Sequence, residues 1–321
     1  MSKKSWWEKK YTNGVTKVKP VKALATLYET HTDAEIAQYL STLTGLTVTK
    51  NAVTKKRQDL GLAKTTRGQA VAASPFTRHN EPVTLSADNA LVLADIHAPY
   101  HDAEWLNRLL TMARRLNIQQ CVLAGDLLDF ATLSHFTPAM LEASDIDADL
   151  SDELEAAQQI CRAIGDTFEH VLWTVGNHEK RLARRLGCRQ RVGILKSLLG
   201  PDAAGFTISK YGYCIIESHG QRWRPSHPKN YSVIPARVAA RLSDKYHMHV
   251  IAAHGHDWGQ VVSLSGDYLG LACGMCADPY RLEYAVLDDT TSPMMQQGAF
   301  MLYRGRPYLL HPTWAQPEHI T

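Results

Sequence analysis

The sequence predicts an α/β domain preceded by a small all-α domain, and two patterns support this division. From Val83 onward, short apolar strand-like segments alternate with amphipathic helices, which is typical of an α/β core. Residues 21–64 show only the apolar spacing of helices. The net charge also differs between the two parts of the chain. Residues 1–70 carry 13 Lys and Arg against 5 Asp and Glu, a net charge of +8. Since the whole chain has a net charge of +3, the remaining residues have a net charge of −5. We therefore divide the chain into a basic domain at 1–70, a linker at 71–87 and an α/β domain at 88–321.

Three short helices are predicted in the basic domain. Lys22–Tyr28 repeats apolar positions at helical spacing. Thr32-Asp-Ala-Glu35 is a capping box, in which each side chain accepts a hydrogen bond from the other residue's backbone N–H, and it begins the second helix. The third helix, Asn51–Leu60, ends at Gly61.

This order of helices resembles the helix-turn-helix modules of DNA-binding proteins, whose third helix lies in the major groove. The resemblance implies that Asn51, Thr54, Lys55 and Arg57 face DNA. A net charge of +8 favours a polyanionic partner. The alternative is a three-helix docking or oligomerisation module whose basic face is solvated.

The linker and the elements of the α/β domain follow in order. Residues 71–87 have no sustained period and contain Pro75. The predicted strands and helices are then Leu91–Ala94, Ala103–Leu116, Gln120–Ala124, Leu154–Ile164 and His170–Val175, with further strands around Gly270 and at Gly298–Tyr303. Polar clusters follow the strands directly, and in open α/β sheets such clusters converge beyond the carboxyl ends of the strands.

These clusters contain enough oxygen and nitrogen ligands for two metal ions. Asp95 and His97 are two residues apart, as are His254 and His256, so in extended backbone each pair points to one side. The candidate ligands and catalytic groups are Asp95, His97, Asp126, Asp129, Asn177, His178, His254 and His256, with one separate histidine. Two metals close together stabilise both the attacking and the leaving oxygen of a displacement at phosphorus.

In this order the clusters resemble the calcineurin-like metallophosphoesterase superfamily, with its pattern D-x-H, G-D-x-x-D, G-N-H-[DE], a separate histidine and G-H-x-H. The likeness covers residues 88–257, and Ala253 stands where the family often has glycine. It implies a two-sheet sandwich flanked by helices. By position, one ion takes Asp95, His97, Asp126 and His256, and the other takes Asp126, Asn177, His227 and His254.

The separate histidine has two candidates on a predicted hairpin that turns near Gly220. His227 ends the return strand, where a ligand is expected, whereas His219 precedes the turn. We favour His227 and keep His219 as the alternative.

The resemblance also implies a mechanism, in which a hydroxide bridging the metals attacks phosphorus and His178 protonates the leaving oxygen. Asp129 resembles the residue that orients this histidine, and Glu179 is expected to secure the turn. The resemblance favours manganese, with iron or zinc as alternatives.

The substrate is expected to be nucleic acid. The protein phosphatase branch of the family has arginines where this chain has Phe130 and Val175, which argues against a protein phosphatase. With the basic domain, this favours a phosphodiesterase, most simply a DNA nuclease. The alternative is a phosphomonoesterase acting on nucleotides or phosphoproteins, with the basic domain only localising it.

The composition of the chain indicates its expected cellular location. No apolar run approaches the ~18 residues that a membrane span needs, so we expect no membrane association and a cytoplasmic location. The six cysteines are scattered, which favours reduced thiols over a disulfide framework.

Overall fold

The chain divides into two compact units, Met1–Arg78 and His79–Thr321. The computed structural model describes residues 5–12, 14, 16–62, 79–133, 150–187, 191–282, 286 and 295–313. Residues 71–78 of the predicted linker lie outside the described residues.

In the part of the first unit that the structure describes there are three α-helices, a short 3-10 helix at Trp6–Glu8 and one short pair of strands. Its elements are β1 (Tyr11–Thr12), β2 (Lys17–Val18), α1 (Pro20–Leu27), α2 (Asp33–Thr44) and α3 (Lys50–Asp59). The strands β1 and β2 pair antiparallel, so the unit predicted as all-α also holds a two-stranded ladder. Its assignment as a DNA-binding helix-turn-helix domain stays a prediction.

Local sequence signals explain the helix boundaries of the first unit. The Thr32 hydroxyl accepts from the backbone N–H of Glu35 at 3.2 Å, and the Glu35 carboxylate accepts from that of Thr32 at 2.6 Å. This is the predicted capping box at the start of α2. Gly45 ends that helix with a left-handed backbone. The helices enclose a small core of Trp7, Leu24, Ile36, Ala37, Leu40, Val48 and Val53.

The second unit is built on two six-stranded sheets. The first sheet contains β4 (Ala90–Leu93), β5 (Gln120–Leu123), β6 (His170–Thr174), β7 (Thr207–Ser209), β13 (Ala299–Tyr303) and β14 (Arg306–Leu310), in the order β14-β13-β4-β5-β6-β7. Strands β4 to β7 are parallel, and β13 is antiparallel to both of its neighbours.

The second sheet mixes parallel and antiparallel pairs. It contains β3 (Thr84–Ser86), β8 (Ile215–Ser218), β9 (Gln221–Ser226), β10 (His249–Ala252), β11 (Trp258–Val262) and β12 (Leu269–Cys273), in the order β11-β12-β10-β9-β8-β3. Strand β3 lies inside the range predicted as linker, where its three residues were too few to show a period.

Among the described residues, five α-helices accompany the sheets: α4 (Ala103–Arg115), α5 (Leu150–Gly165), α6 (Glu179–Arg185), α7 (Arg191–Leu199) and α8 (Arg237–Tyr246). Within the described residues, none of the helices has both the length and the apolar character required to traverse a bilayer.

Alternating side chains of the central strands build two cores. Val92, Val122 and Leu172 pack with side chains of the second sheet, among them Trp223 and Ile251. The residues between them along the strands, with those of the adjoining helices, form the larger core, which includes Leu91, Leu93, Cys121, Trp105, Leu109 and Ile160. Strands covered on both faces therefore appear in the sequence as continuous apolar runs. The predicted two-sheet sandwich flanked by helices is confirmed.

Candidate metal centre

Five loops from both sheets meet at one place. Three of them follow β4, β5 and β6 of the first sheet, and two follow β9 and β10 of the second. They carry the seven predicted metal ligands Asp95, His97, Asp126, Asn177, His227, His254 and His256. Three overlapping groups of these side chains and His178 have ligand atoms within 4.8 Å of one another.

The first group consists of Asp95, His97 and His256, all buried. Nε2 of His97 lies 3.1 Å from Nε2 of His256. Oδ1 of Asp95 lies 3.4 Å from the same His256 nitrogen and 3.9 Å from that of His97. Ligand atoms bound at about 2.1 Å around one ion are separated by about 3.0–3.4 Å, so this spacing suits a shared cation.

The second group consists of Asp126, His227 and His254, with Asn177 beside them. Nε2 of His227 lies 2.7 Å from Oδ1 of Asn177 and 3.1 Å from Oδ2 of Asp126. The imidazole rings of His227 and His254 have centroids 5.0 Å apart. The four residues that family resemblance assigned to the second ion are thus close together.

Two carboxylate oxygens show that the residues fit cations. Oδ1 of Asp95 and Oδ2 of Asp126 are buried and make no hydrogen bond within the described part of the chain. A buried carboxylate oxygen normally has a partner, because its desolvation is otherwise uncompensated. Each of these oxygens faces imidazole nitrogens instead, and a divalent cation between them would satisfy the whole group.

The electrostatics of the site also favour the binding of cations. Burial opposes a charged imidazole at His227, but Asp126 and then Asp95 outweigh it and raise its pKa to about 9. Burial similarly opposes the carboxylate of Asp126, while His227 and His178 hold its pKa well below the ordinary value. The carboxylates therefore create a negative potential that attracts positive charge.

Hydrogen bonds from the far side orient two of the imidazoles. Nδ1 of His97 donates to Oδ1 of Asp129 at 2.6 Å. Nδ1 of His227 donates to the carbonyl oxygen of Ala124 at 2.9 Å. In both rings the proton is held on Nδ1, which leaves Nε2 as the ligand atom.

Glu179 joins two of the loops that carry ligands. Its Oε1 accepts from the backbone N–H of Leu127 at 2.8 Å and of Leu128 at 3.3 Å. Its Oε2 accepts from that of Gly176 at 2.7 Å and of Asp126 at 3.2 Å. Burial first, and then the neighbouring Asp126, raise the pKa of Glu179 to about 7.

Two glycines allow the loops to approach each other. A Cβ on Gly176 would lie 2.0 Å from Oδ1 of Asp126, and one on Gly125 would lie 2.4 Å from Nδ1 of His227. Gly125 also has φ +92°. Any side chain at either position would displace a predicted ligand.

The backbone is strained at most of the ligands. Five of the seven have φ between 48° and 73°: Asp95, His97, Asp126, His254 and His256. A left-handed conformation in a residue other than glycine costs about 1–2 kcal/mol. Such strain persists where the surrounding structure imposes it, and it is concentrated at functional sites.

His178 lies at the edge of the cluster with two defined contacts. Its Nδ1 donates to the carbonyl oxygen of Asp129 at 2.5 Å, and the Asp129 carboxylate is 3.2 Å from the same nitrogen. Burial opposes the charged ring, but Asp126 and Asp129 raise the pKa of His178 to about 8. Asp129 therefore contacts His178 and also His97, as orientation of these rings requires.

Arg181, in the basic run that follows Glu179, also contacts His178. Its Nη2 donates to Nε2 of His178 at 2.9 Å, and its Nη1 donates to the carbonyl oxygen of Asp129 at 3.1 Å. The signal for this contact was present in the sequence, because residues three apart on a helix share one face and Arg181 follows His178 by three. Phe130 and Val175, which stand where protein phosphatases have arginine, are both buried.

The two candidates for the separate histidine have different environments. His227 is buried within the ligand cluster. His219 has a side chain that is 57% exposed and lies 3.3 Å from Oδ1 of Asp88, with no other predicted ligand beside it in the described residues. The structure therefore brings His227, and not His219, to the other ligands.

The predicted nucleic-acid contacts of α3 have two different environments. Asn51 and Lys55 are exposed. The Thr54 hydroxyl instead donates to Asp33 at 2.7 Å, and Nε of Arg57 donates to the same carboxylate at 3.3 Å. Thr54 and Arg57 thus tie α3 to the start of α2, which corrects the expectation that all four face outward.

Comparison of the sequence with known proteins identifies one family. A family model described as calcineurin-like phosphoesterase matches residues 89–267, a range that contains all seven predicted ligands. Among solved structures, the chain is similar to Yfce, a phosphoesterase from E. coli, at 14% identity and a TM-score of 0.34, over 67% of this chain and 87% of that chain. No curated protein matches the sequence.

Proposed function

The chain belongs to the calcineurin-like phosphoesterase family, and we propose that this metal-dependent phosphoesterase hydrolyses the phosphodiester bonds of nucleic acid, with DNA as its substrate. The observation that carries the proposal is the combination on one chain of a buried cluster of metal ligands with a separate basic unit. Residues 1–70 have a net charge of +8 from 13 basic and 5 acidic side chains. Positive charge of this kind supplies most of the non-specific affinity for nucleic acid.

The ligand set suits two divalent cations, and we propose manganese. One ion would be held by Asp95, His97, Asp126 and His256, and the other by Asp126, Asn177, His227 and His254. Carboxylate, amide and imidazole ligands without thiolate are compatible with manganese, iron or zinc. When bound, the cations supply positive charge to the phosphoryl oxygens and make water acidic enough to attack at neutral pH.

The chain's own residues supply the proton for the leaving oxygen. The Asp129 carbonyl oxygen holds one proton on Nδ1 of His178, so Nε2 is the nitrogen that faces the site. In the structure Nε2 accepts from Arg181. When the Arg181 guanidinium binds a phosphate oxygen instead, Nε2 can take up a proton from water, because Asp126 and Asp129 raise the pKa of His178 to about 8, and it passes this proton to the leaving oxygen.

The exposed side chains of α3 are the proposed DNA contacts of the basic unit. Lys50, Asn51, Lys55 and Gln58 all lie on its exposed surface. Asparagine and glutamine pair with adenine in the major groove, and lysine contacts guanine or phosphate. Since Thr54 and Arg57 are bound to Asp33, they stabilise the unit that presents this surface.

Four substrates test the proposal with the purified protein and Mn²⁺: single- and double-stranded DNA, bis-nitrophenyl phosphate and mono-nitrophenyl phosphate. We expect hydrolysis of DNA and of the diester. Activity on the monoester alone would replace the proposal with a phosphomonoesterase.

A double variant tests the role of the basic unit in the full chain. Lys50→Ala with Lys55→Ala should raise the KM for DNA and lower the salt dependence of binding by about two phosphate contacts, with a slope change of roughly 0.9 for each. Hydrolysis of the small diester should not change. An Arg237→Ala and Lys245→Ala pair on α8 removes the same charge from the other unit and serves as the control.

A further inference from the structure

The segment that connects β7 with β8 borders the metal centre but has no part in the mechanism above. The carbonyl oxygen of Gly212 in this segment accepts from the backbone N–H of His227 at 2.7 Å. A Cβ on Gly212 would lie 3.3 Å from the His227 carbonyl oxygen and 3.8 Å from Nζ of Lys180. The segment is therefore packed against a predicted ligand and against the residue that follows Glu179.

The aromatic residue on one side of Gly212 is rigidly held. The guanidinium of Arg224 lies between two rings, with its central carbon 3.3 Å from the ring centre of Tyr213 and 3.9 Å from that of Tyr246. Arg224 itself is buried. This stack joins the segment to β9 and to the end of α8, which fixes the orientation of Tyr213.

The aromatic residue on the other side of Gly212 is supported but half-exposed. Tyr211 meets Tyr213 edge to face, with ring centroids 5.4 Å apart. His79 approaches Tyr211 in a T-shaped arrangement at 6.5 Å, and Nζ of the exposed Lys210 lies 5.5 Å from the Tyr211 ring centre. A half-exposed ring with a rigid support and an adjacent ammonium group thus directly precedes Gly212, which is hydrogen-bonded to the backbone of His227.

We propose that Tyr211 and Lys210 form a binding site for an unpaired nucleobase and its phosphate, next to the phosphodiester that is cleaved. Proteins that bind single strands pair aromatic rings, on which bases stack, with cations that contact the backbone. Bases in a duplex are already stacked on each other, so this site selects single-stranded nucleic acid. The inference rests on the proposed function and adds the form of nucleic acid that the centre accepts.

The experiment compares a single-stranded DNA oligonucleotide with the same oligonucleotide lacking bases, in the full-length protein with Mn²⁺. Wild-type enzyme should cleave the base-containing strand with a kcat/KM roughly 5- to 150-fold higher, the range that stacking of one base gives. Tyr211→Ala should lose this preference by slowing cleavage of the base-containing strand only. Tyr211→Phe, which keeps the ring, should retain it.

Tyr268→Ala is the matched control. Like Tyr211, Tyr268 is half-exposed and its ring contacts histidine rings. Unlike Tyr211, it lies just before the start of β12, whereas the metal centre lies beyond the opposite ends of the strands. It should leave the preference unchanged.

The outcomes separate the two proposals. Equal losses on both strands in Tyr211→Ala would show a merely structural role and overturn the stacking site. Unchanged kinetics in that variant would overturn it as well, while cleavage of DNA by wild type would leave the nuclease proposal intact. Hydrolysis of small diesters with no cleavage of any nucleic acid would overturn the proposed function, and the stacking site with it.

Discussion

Replacement of Glu179 by glutamine tests whether this buried carboxylate holds the ligand loops together. The carboxylate accepts four backbone N–H bonds, two on each oxygen. The glutamine side chain retains one acceptor oxygen and turns an N–H donor toward the other pair. Two buried N–H groups then have no acceptor, at about 1–3 kcal/mol each, or roughly 2–6 kcal/mol together.

An opposing effect limits this loss, because the variant also removes a buried charge. Burial and Asp126 raise the pKa of Glu179 to about 7, so near neutral pH the wild-type carboxyl costs stability that glutamine, which does not titrate, avoids. This gain offsets part of the hydrogen-bond loss. The free energy of unfolding, measured with urea near pH 7 in metal-free protein, should therefore fall by less than the hydrogen bonds alone would give, by roughly 1–3 kcal/mol.

Affinity for Mn²⁺ should fall in parallel, because the loops carrying Asp126 and Asn177 are no longer joined. Glu169→Gln is the control, since Glu169 is exposed and accepts one bond from Gln119 at 2.7 Å. That change should alter the unfolding free energy by less than about 0.5 kcal/mol. A Glu179→Gln protein as stable as the control, with wild-type metal affinity, would refute the reasoning.

Three further predictions address the ligands, the acid and a second buried carboxyl. His227→Ala should lose one of two bound metals by elemental analysis while His219→Ala keeps both, and the reverse would transfer the ligand role to His219. His178→Ala should slow hydrolysis of an alkyl diester by roughly 10²- to 10⁴-fold but spare a nitrophenyl ester with its better leaving group; equal losses would exclude general acid catalysis. Burial raises the pKa of Glu153 to about 8, although the hydrogen bond from the Phe130 N–H opposes this rise. The stability that Glu153 contributes is therefore fully present below its ordinary pKa of 4.5 and is lost as pH rises toward 8. Relative to Glu153→Gln, which does not titrate, wild type should therefore lose unfolding free energy between about pH 5 and about pH 8.5, and parallel urea curves across that range would contradict this.

The sequence predicted most of the fold and the ligand cluster because both depend on local pattern. Apolar runs located β4, β5 and β6 within one residue at each end. Because parallel strands end at one edge, polar residues such as Asp95, Asp126 and Asn177 had to converge there. Spacing alone left His219 and His227 open. The structure distinguishes them because they flank opposite ends of β9, with His227 in the ligand cluster and His219 beside Asp88.

What the sequence could not provide are contacts between residues distant in the chain. The helix-turn-helix resemblance placed Arg57 on an outer face of α3, but the side chain is 12% exposed because Asp33, 24 residues earlier, binds it. The stack of Tyr213, Arg224 and Tyr246 likewise joins three separate elements. Each residue is unremarkable in its own segment, so no periodicity or motif could indicate the contact.

The left-handed backbone at five predicted ligands affects the stability of the protein when no metal ions are bound. At about 1–2 kcal/mol per residue, the five positions together cost about 5–10 kcal/mol, which is comparable to the whole net stability of an ordinary domain. The binding of cations would offset this strain energy, but only while the metal ions are bound. Chelation of the metals during purification should consequently leave a chain that is folded but more easily cleaved by proteases than the metal-loaded form.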